Sequence, residues 1–120
     1  MHKVVIKLIA ATTYALMGLK ASWQTEQAFR LEVVALVVAL PLVWWMPVSI
    51  SEQVLLLGAI LLVMVVELMN TAVEAVVDLV TKDHHALAGK AKDAASAAVL
   101  VSVVLALLVW GVVTMPLLLR

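Results

Sequence analysis

Glu67, Asn70, Glu74 and Asp78 fall inside one of the most apolar stretches of the chain, spaced by three, four and four residues. At about 100° per residue, those offsets line all four up on one narrow stripe of a helix. Their neighbours, Leu61 to Val66 before the stripe and Val76, Val77, Leu79 and Val80 around it, suit a bilayer better than water. Carboxylates on a membrane helix carry a large desolvation cost. Where they persist they face a bundle interior or a wet cavity and serve a function. Any fold for this chain must give that stripe somewhere to point.

Of the 120 residues, 66% are hydrophobic, and the mean hydropathy is +1.18. A soluble domain is about half apolar, and a core this small cannot bury the excess, so lipid is the expected solvent. The formal net charge is zero, which gives no electrostatic footprint for nucleic acid. With no cysteine, disulfides, thiolate chemistry and cysteine-based metal sites are excluded. Met1-His2-Lys3-Val4 opens no long apolar core with a small-residue cleavage site, so no signal peptide is expected. The reading is a single all-α membrane domain over residues 1–120.

Lys3, Lys7, Lys20 and Arg30 punctuate the apolar residues of the first thirty positions too often for a span. Residues 1–30 read as an amphipathic helix lying on a membrane surface, with a helix packed on the bundle as the alternative. Residues 33–50 have no charge and form a short first span, with Pro41 inside it and Pro47 at its end. Trp44 and Trp45 fit an interfacial aromatic belt. Residues 53–81 form a second span whose later half carries the polar stripe. The polar loop that follows runs through Asp83, His84 and His85 to Gly89, Lys90, Lys92 and Asp93, and residues 94–119 form a third span. Its small-residue start, Ala94 to Ala98 around Ser96, permits close approach of another helix.

Three spans put the basic N-terminal segment and the basic 81–93 loop on one side, which the positive-inside rule makes cytoplasmic. The stripe is then a ladder: Asp78 lies at the cytoplasmic boundary and Glu67 lies roughly 16 Å deeper. Glu26 and Glu32 add carboxylates at the same level, and with Glu74, Asp78 and Asp93 they form an acidic cluster ringed by lysines. Carboxylates with no cysteine and few histidines suit a hard cation such as magnesium, and basic residues around such a cation suit phosphates. A deeper, desolvated Glu67 has the raised proton affinity that a general base for a membrane alcohol needs.

Each residue also has a plainer role. Glu67 and Asn70 can hydrogen-bond neighbouring helices, and Lys82, Lys90 and Lys92 can act only as topology determinants. His84 and His85 are adjacent, which suits solvated loop residues better than zinc ligands. Tyr14 and Trp23 suit interface anchors. Walker-type, protein-kinase and serine-elbow motifs are absent.

Three runs resemble the prokaryotic membrane-integral diacylglycerol kinase family: Trp23-x-x-Glu26-x-x-Phe29-Arg30-x-Glu32, Val66-Glu67 through Asp78, and Gly89-Lys90-Ala91-Lys92-Asp93 through Val99. The resemblance extends from about Lys7 to about Trp110. It implies a homotrimer in the bacterial inner membrane, each subunit having a surface helix and three membrane helices. The implied reaction moves the γ-phosphate of MgATP to diacylglycerol, giving phosphatidic acid. The resemblance makes Glu67 the base, with Glu26 and Glu74 as holders of the nucleotide's metal. Lys92 and Asp93 match phosphate-side contacts, and Asp83, His84 and His85 the nucleoside side. Lys7 and Tyr14 match the surface helix's share of the ATP site. Asn70 and Asp78 match lining residues, and Trp23, Arg30, Glu32 and Ser96 accompany Glu67 near the lipid.

Some positions depart from the family pattern. Lys7 stands where arginine is familiar, Ala10 and Met17 stand where basic residues are familiar, and His84 stands where tyrosine is. The rival readings are an undecaprenol kinase of the same family, a small oligomer relaying ions or protons through the carboxylates, and a non-catalytic scaffold. A relay has no need of a phosphate-binding loop.

Overall fold

The computed structural model describes all residues, Met1–Arg120, as four helices: α1 (His2–Thr25), α2 (Gln27–Trp45), α3 (Ile50–Val80) and α4 (Ala86–Leu118). All four are long and apolar enough to cross a membrane. The N-terminal segment therefore meets, by length and composition, a criterion that its charges had been expected to deny it. The expected single helix over 1–30 is divided at Glu26, the one extended residue between α1 and α2 (φ −116°, ψ 108°). Its N–H still donates to the Ser22 carbonyl, and its carbonyl accepts from Arg30. Arg30, expected on the surface helix, thus belongs to α2. The uncharged segment 33–50 likewise gives way to a helix that starts earlier and ends at Trp45, running on through Pro41. Prolines in membrane helices are tolerated where neighbouring groups re-satisfy the freed backbone.

The α2–α3 turn has a local chemical logic. Pro47 cannot offer the N–H that would continue the helix to the Val43 carbonyl. Met46 N–H (3.2 Å) and Gln53 Nε2 (3.3 Å) donate to that carbonyl instead. Ser49 then starts α3 with a reciprocal cap: Ser49 Oγ accepts from the Glu52 N–H, and a Glu52 carboxylate oxygen accepts from the Ser49 N–H.

α3 packs on both α2 and α4, while α1 touches mainly α2. A thickness of 24 Å is about two helix diameters, so the bundle is two layers with α3 as its spine. Ala39, Val43, Leu56 and Val113 form the core cluster, where α2 ends, α3 begins and α4 ends. Trp110 Nε1 donates to the Leu56 carbonyl (3.0 Å) and ties α4 to α3 at this level. Only 10 of the 120 residues are buried, and most large apolar side chains face outward. An apolar exterior on this scale requires lipid or further copies of the chain as its surroundings.

Candidate active site

The inward face of α3 repeats at Leu56, Ala59, Val63 and Glu67, the buried residues of that helix. The same spacing continues through Asn70, Glu74 and Asp78. One stripe therefore runs the length of the helix and changes from apolar to polar at Glu67. That residue is only 6% exposed. The carboxylates of Glu26 and Glu74 are within electrostatic reach of it, and Glu32 is within reach in turn. Residues from the α1–α2 break, the first turns of α2 and the middle of α3 thus meet at one level. Phe29, on the first turn of α2, is buried at 2% exposure.

Within this cluster Asn70 Nδ2 donates to a Glu74 carboxylate oxygen (3.2 Å), a contact one helical turn apart. The Oδ1 of Asn70 and one carboxylate oxygen of Glu32 are buried without a hydrogen-bond partner. Buried acceptors of this kind are rare and call for a donor or a cation. Glu26 occupies the N-cap of α2, yet its side chain makes no capping bond. Its carboxylate is left free beside the positive end of a helix.

The second half of the site is the α3–α4 connection. Thr81 Oγ1 accepts from the Asp83 N–H, and His85 Nδ1 accepts from the Leu87 N–H to cap α4. Histidine is outside the usual N-cap set, so the sequence offered no signal for this use of His85. A cleft of about 830 Å³ opens here, and Asp83, His84, His85, Lys90, Lys92 and Asp93 line it. Lys92 Nζ reaches across to Asp78 at 2.7 Å and joins the cleft to the end of the acidic stripe.

The structure therefore gathers Glu26, Glu32, Glu67, Asn70 and Glu74 into one cluster. It gathers Asp83, His84, His85, Lys92 and Asp93 around one cleft, with Asp78 linking the two. It does not bring in the rest. Lys7 and Tyr14 lie exposed on α1, Tyr14 at 70%, and Trp23, Arg30 and Ser96 are exposed on three different helices. No three acidic or histidine side chains converge into a ready-made metal site. Two structural polar groups carried no recognised role in the sequence. Trp110 and Gln53 each serve a backbone carbonyl on another helix, and the available signal was a side-chain N–H inside or beside a span that needs an acceptor.

The family model described as prokaryotic diacylglycerol kinase matches residues 13–114. The chain belongs to the prokaryotic diacylglycerol kinase family. The match contains every candidate residue except Lys7. Among curated relatives, a diacylglycerol kinase from Escherichia coli (strain K12) is 43% identical over 104 residues, covering 87% of this chain and 85% of the relative. The Haemophilus influenzae diacylglycerol kinase is 40% identical over 104 residues (87% and 88%). The Pseudomonas aeruginosa diacylglycerol kinase is 37% identical over 107 residues (89% and 87%). The chain is thus a kinase with four membrane-length helices.

Proposed function

We propose that the protein transfers the γ-phosphate of ATP to the free hydroxyl of diacylglycerol, giving phosphatidic acid and ADP. The observation that carries this reading is the position of Glu67. It is a buried carboxylate at the level where an apolar helix face gives way to acids, and the acidic stripe leads from it along α3 toward a cleft lined with lysines. A lipid alcohol arrives through hydrocarbon, and a nucleotide arrives from water. The stripe from Glu67 to Asp78 runs between those two routes.

In this mechanism Glu67 accepts the proton of the lipid hydroxyl as its oxygen bonds to the γ-phosphorus. The bond from that phosphorus to the β–γ bridging oxygen breaks, and ADP leaves. Lys92, at the seam of cleft and stripe, offsets charge on the phosphates. Asp83, His84 and His85 receive the nucleoside side, and Asp93 shares the phosphate side. Asn70 holds the Glu74 carboxylate in one orientation. Trp23, Arg30, Glu32 and Ser96 face the lipid, and Lys7 and Tyr14 of α1, which lie outside the cleft of their own chain, complete the nucleotide site of a neighbouring copy.

The donor set around Glu67 is all oxygen, and two of its buried acceptors lack partners, which fits magnesium. Glu26 and Glu74 would hold it. When bound, it supplies neutralising charge at the phosphate oxygens. Two carboxylates are enough because the nucleotide and water bring the remaining oxygens.

The proposal includes a homotrimer in the bacterial inner membrane, with the N-terminus cytoplasmic and α1 lying on the surface. Its support is the small buried fraction of one chain, the half-covered polar end of α3 and the absence of acids from α1. A neighbouring copy would cover the stripe and keep it from lipid. The deciding experiment incubates purified protein with labelled ATP, magnesium and either diacylglycerol or undecaprenol. Label on diacylglycerol supports the reading. Label on undecaprenol alone transfers it to the polyprenol branch, and no labelled lipid refutes it.

A further inference from the structure

Lys92 makes the chain's one ion pair. Its Nζ lies 2.7 Å from Asp78 Oδ1, and the bond crosses from α4 to α3. Both side chains are about half exposed, at 43% and 48%. A pair in that setting adds little to folding stability, so stability is not a sufficient reason for its geometry. What the contact fixes is direction. A lysine carries a point charge on a long rotatable stem, and it spreads over many rotamers unless something holds it. Lys82 and Lys90 line the same cleft with no such restraint.

The position of the pair gives the restraint a purpose. Lys92 lines the cleft, whereas Asp78 is the last rung of the acidic stripe and lies outside it. Glu74, one turn further along α3, is also within electrostatic reach of Lys92. The ammonium therefore sits on the seam between the nucleotide cleft and the carboxylates that lead to Glu67. An anionic phosphate brought up to that seam meets a ladder of like charges, and Lys92 is the one cation touching the ladder.

We infer, on the strength of the kinase reading, that Asp78 is a positioning residue for Lys92. It holds the ammonium at the seam, occupies it with a carboxylate while no nucleotide is present, and gives it up to the terminal phosphate when ATP binds. Asp78 acts on the substrate only through Lys92.

The test measures initial rates against ATP and diacylglycerol separately. Asp78→Asn is expected to raise the KM for ATP roughly five- to tenfold, the scale of a lost charge-assisted contact. The KM for diacylglycerol should stay unchanged, and Asp78→Glu should restore the ATP value to within about twofold. A charge-swapped protein, Asp78→Lys with Lys92→Asp, keeps a pair but moves the ammonium to α3, so it should not recover transfer. An unchanged ATP KM in Asp78→Asn overturns the inference, as does recovery in the swapped protein, which would make the pair purely structural.

A measurement on the unaltered chain covers the case in which Asp78→Asn does not fold. The Lys92 ammonium resonance, assigned by its loss in Lys92→Arg, should shift when a non-hydrolysable ATP analogue is added, while that of Lys3 does not. No shift at Lys92 counts against the exchange. Label transfer by the unaltered protein is the separate control on which the kinase reading stands, and the variants' KM values bear only on Asp78.

Discussion

From Ile50 to Val66, the inner face of α3 is Leu56, Ala59 and Val63, with Leu56 closed off by Ala39, Val43 and Val113. From Glu67 to Val80 the face has the same spacing, but it carries acids and amide and grows steadily more exposed toward Asp78. The two halves share a helix, a period and a direction. They differ in what a neighbour must supply. The apolar half needs only shape, which α2 and α4 provide. The polar half needs donors and cations, and within the chain it finds Lys92 for Asp78 and Asn70 for Glu74. Two buried acceptors at that level, on Asn70 of α3 and Glu32 of α2, are left unpartnered. Packing is complete where the chain only has to hold together and incomplete where a substrate is expected.

The sharpest way to break this contrast is to remove the charge at its boundary. Glu67→Gln is nearly isosteric and leaves the stripe's shape intact. Phosphate transfer is expected to fall by roughly 10²- to 10⁴-fold, the usual range for loss of a general base. Helix content and oligomer size should match those of the unaltered protein. Full activity would remove the base assignment and make Glu67 a packing residue like Val63.

The reciprocal change sits at the other end. Leu56 is 0% exposed within the core cluster. Leu56→Ala opens a cavity, which in water-soluble proteins costs about 2–5 kcal/mol. In a membrane the transfer contribution shrinks because lipid replaces water and packing contacts dominate, so the low end, about 2 kcal/mol, is expected. The midpoint of unfolding in a denaturing detergent should drop, while the KM values for ATP and lipid in the folded fraction hold. A variant that stays stable but loses substrate affinity would show that the two halves are not separable.

The contrast also explains what could be read from sequence. Helical phase is a local property, so the stripe from Glu67 to Asp78 is legible in residue order alone, whereas the polar loop expected to run on through Gly89, Lys90, Lys92 and Asp93 ends at His85, those residues forming the first turns of α4. The break at Glu26 is not legible either. It has neither glycine nor proline, and both its backbone groups keep helical hydrogen bonds, so nothing local announces it. Nor can periodicity say that Glu32 comes within electrostatic reach of Glu67 or that Lys92 meets Asp78, since both relations run between helices. The exposed Lys7 and Tyr14 mark the limit from the other side. The family resemblance assigns them to the ATP site, yet neither lines the cleft between α3 and α4.

Asn70→Ala probes the polar half more gently. It removes the donor to Glu74 and a buried unpartnered oxygen together, so its effect on stability should be small. The lost orientation of Glu74 is worth about 1 kcal/mol. That predicts a rise of roughly fivefold in the magnesium concentration giving half-maximal rate. An unchanged magnesium dependence would leave Glu74 without need of its partner.

The smallest effect belongs to Trp110→Phe. The ring of Trp110 packs against the core cluster, and its Nε1 donates to the Leu56 carbonyl across the α3–α4 seam. Phenylalanine keeps most of the apolar contact and deletes the donor. Interhelical hydrogen bonds in membranes average about 0.6 kcal/mol, because the separated helices also find partners. The detergent midpoint should therefore fall only slightly, by less than a third of the Leu56→Ala change, and transfer rates should be unaltered. A loss as large as that of Leu56→Ala would mean that directional bonding, rather than shape, holds the apolar half together. The two ends of α3 would then differ in which polar groups they satisfy rather than in whether they need any.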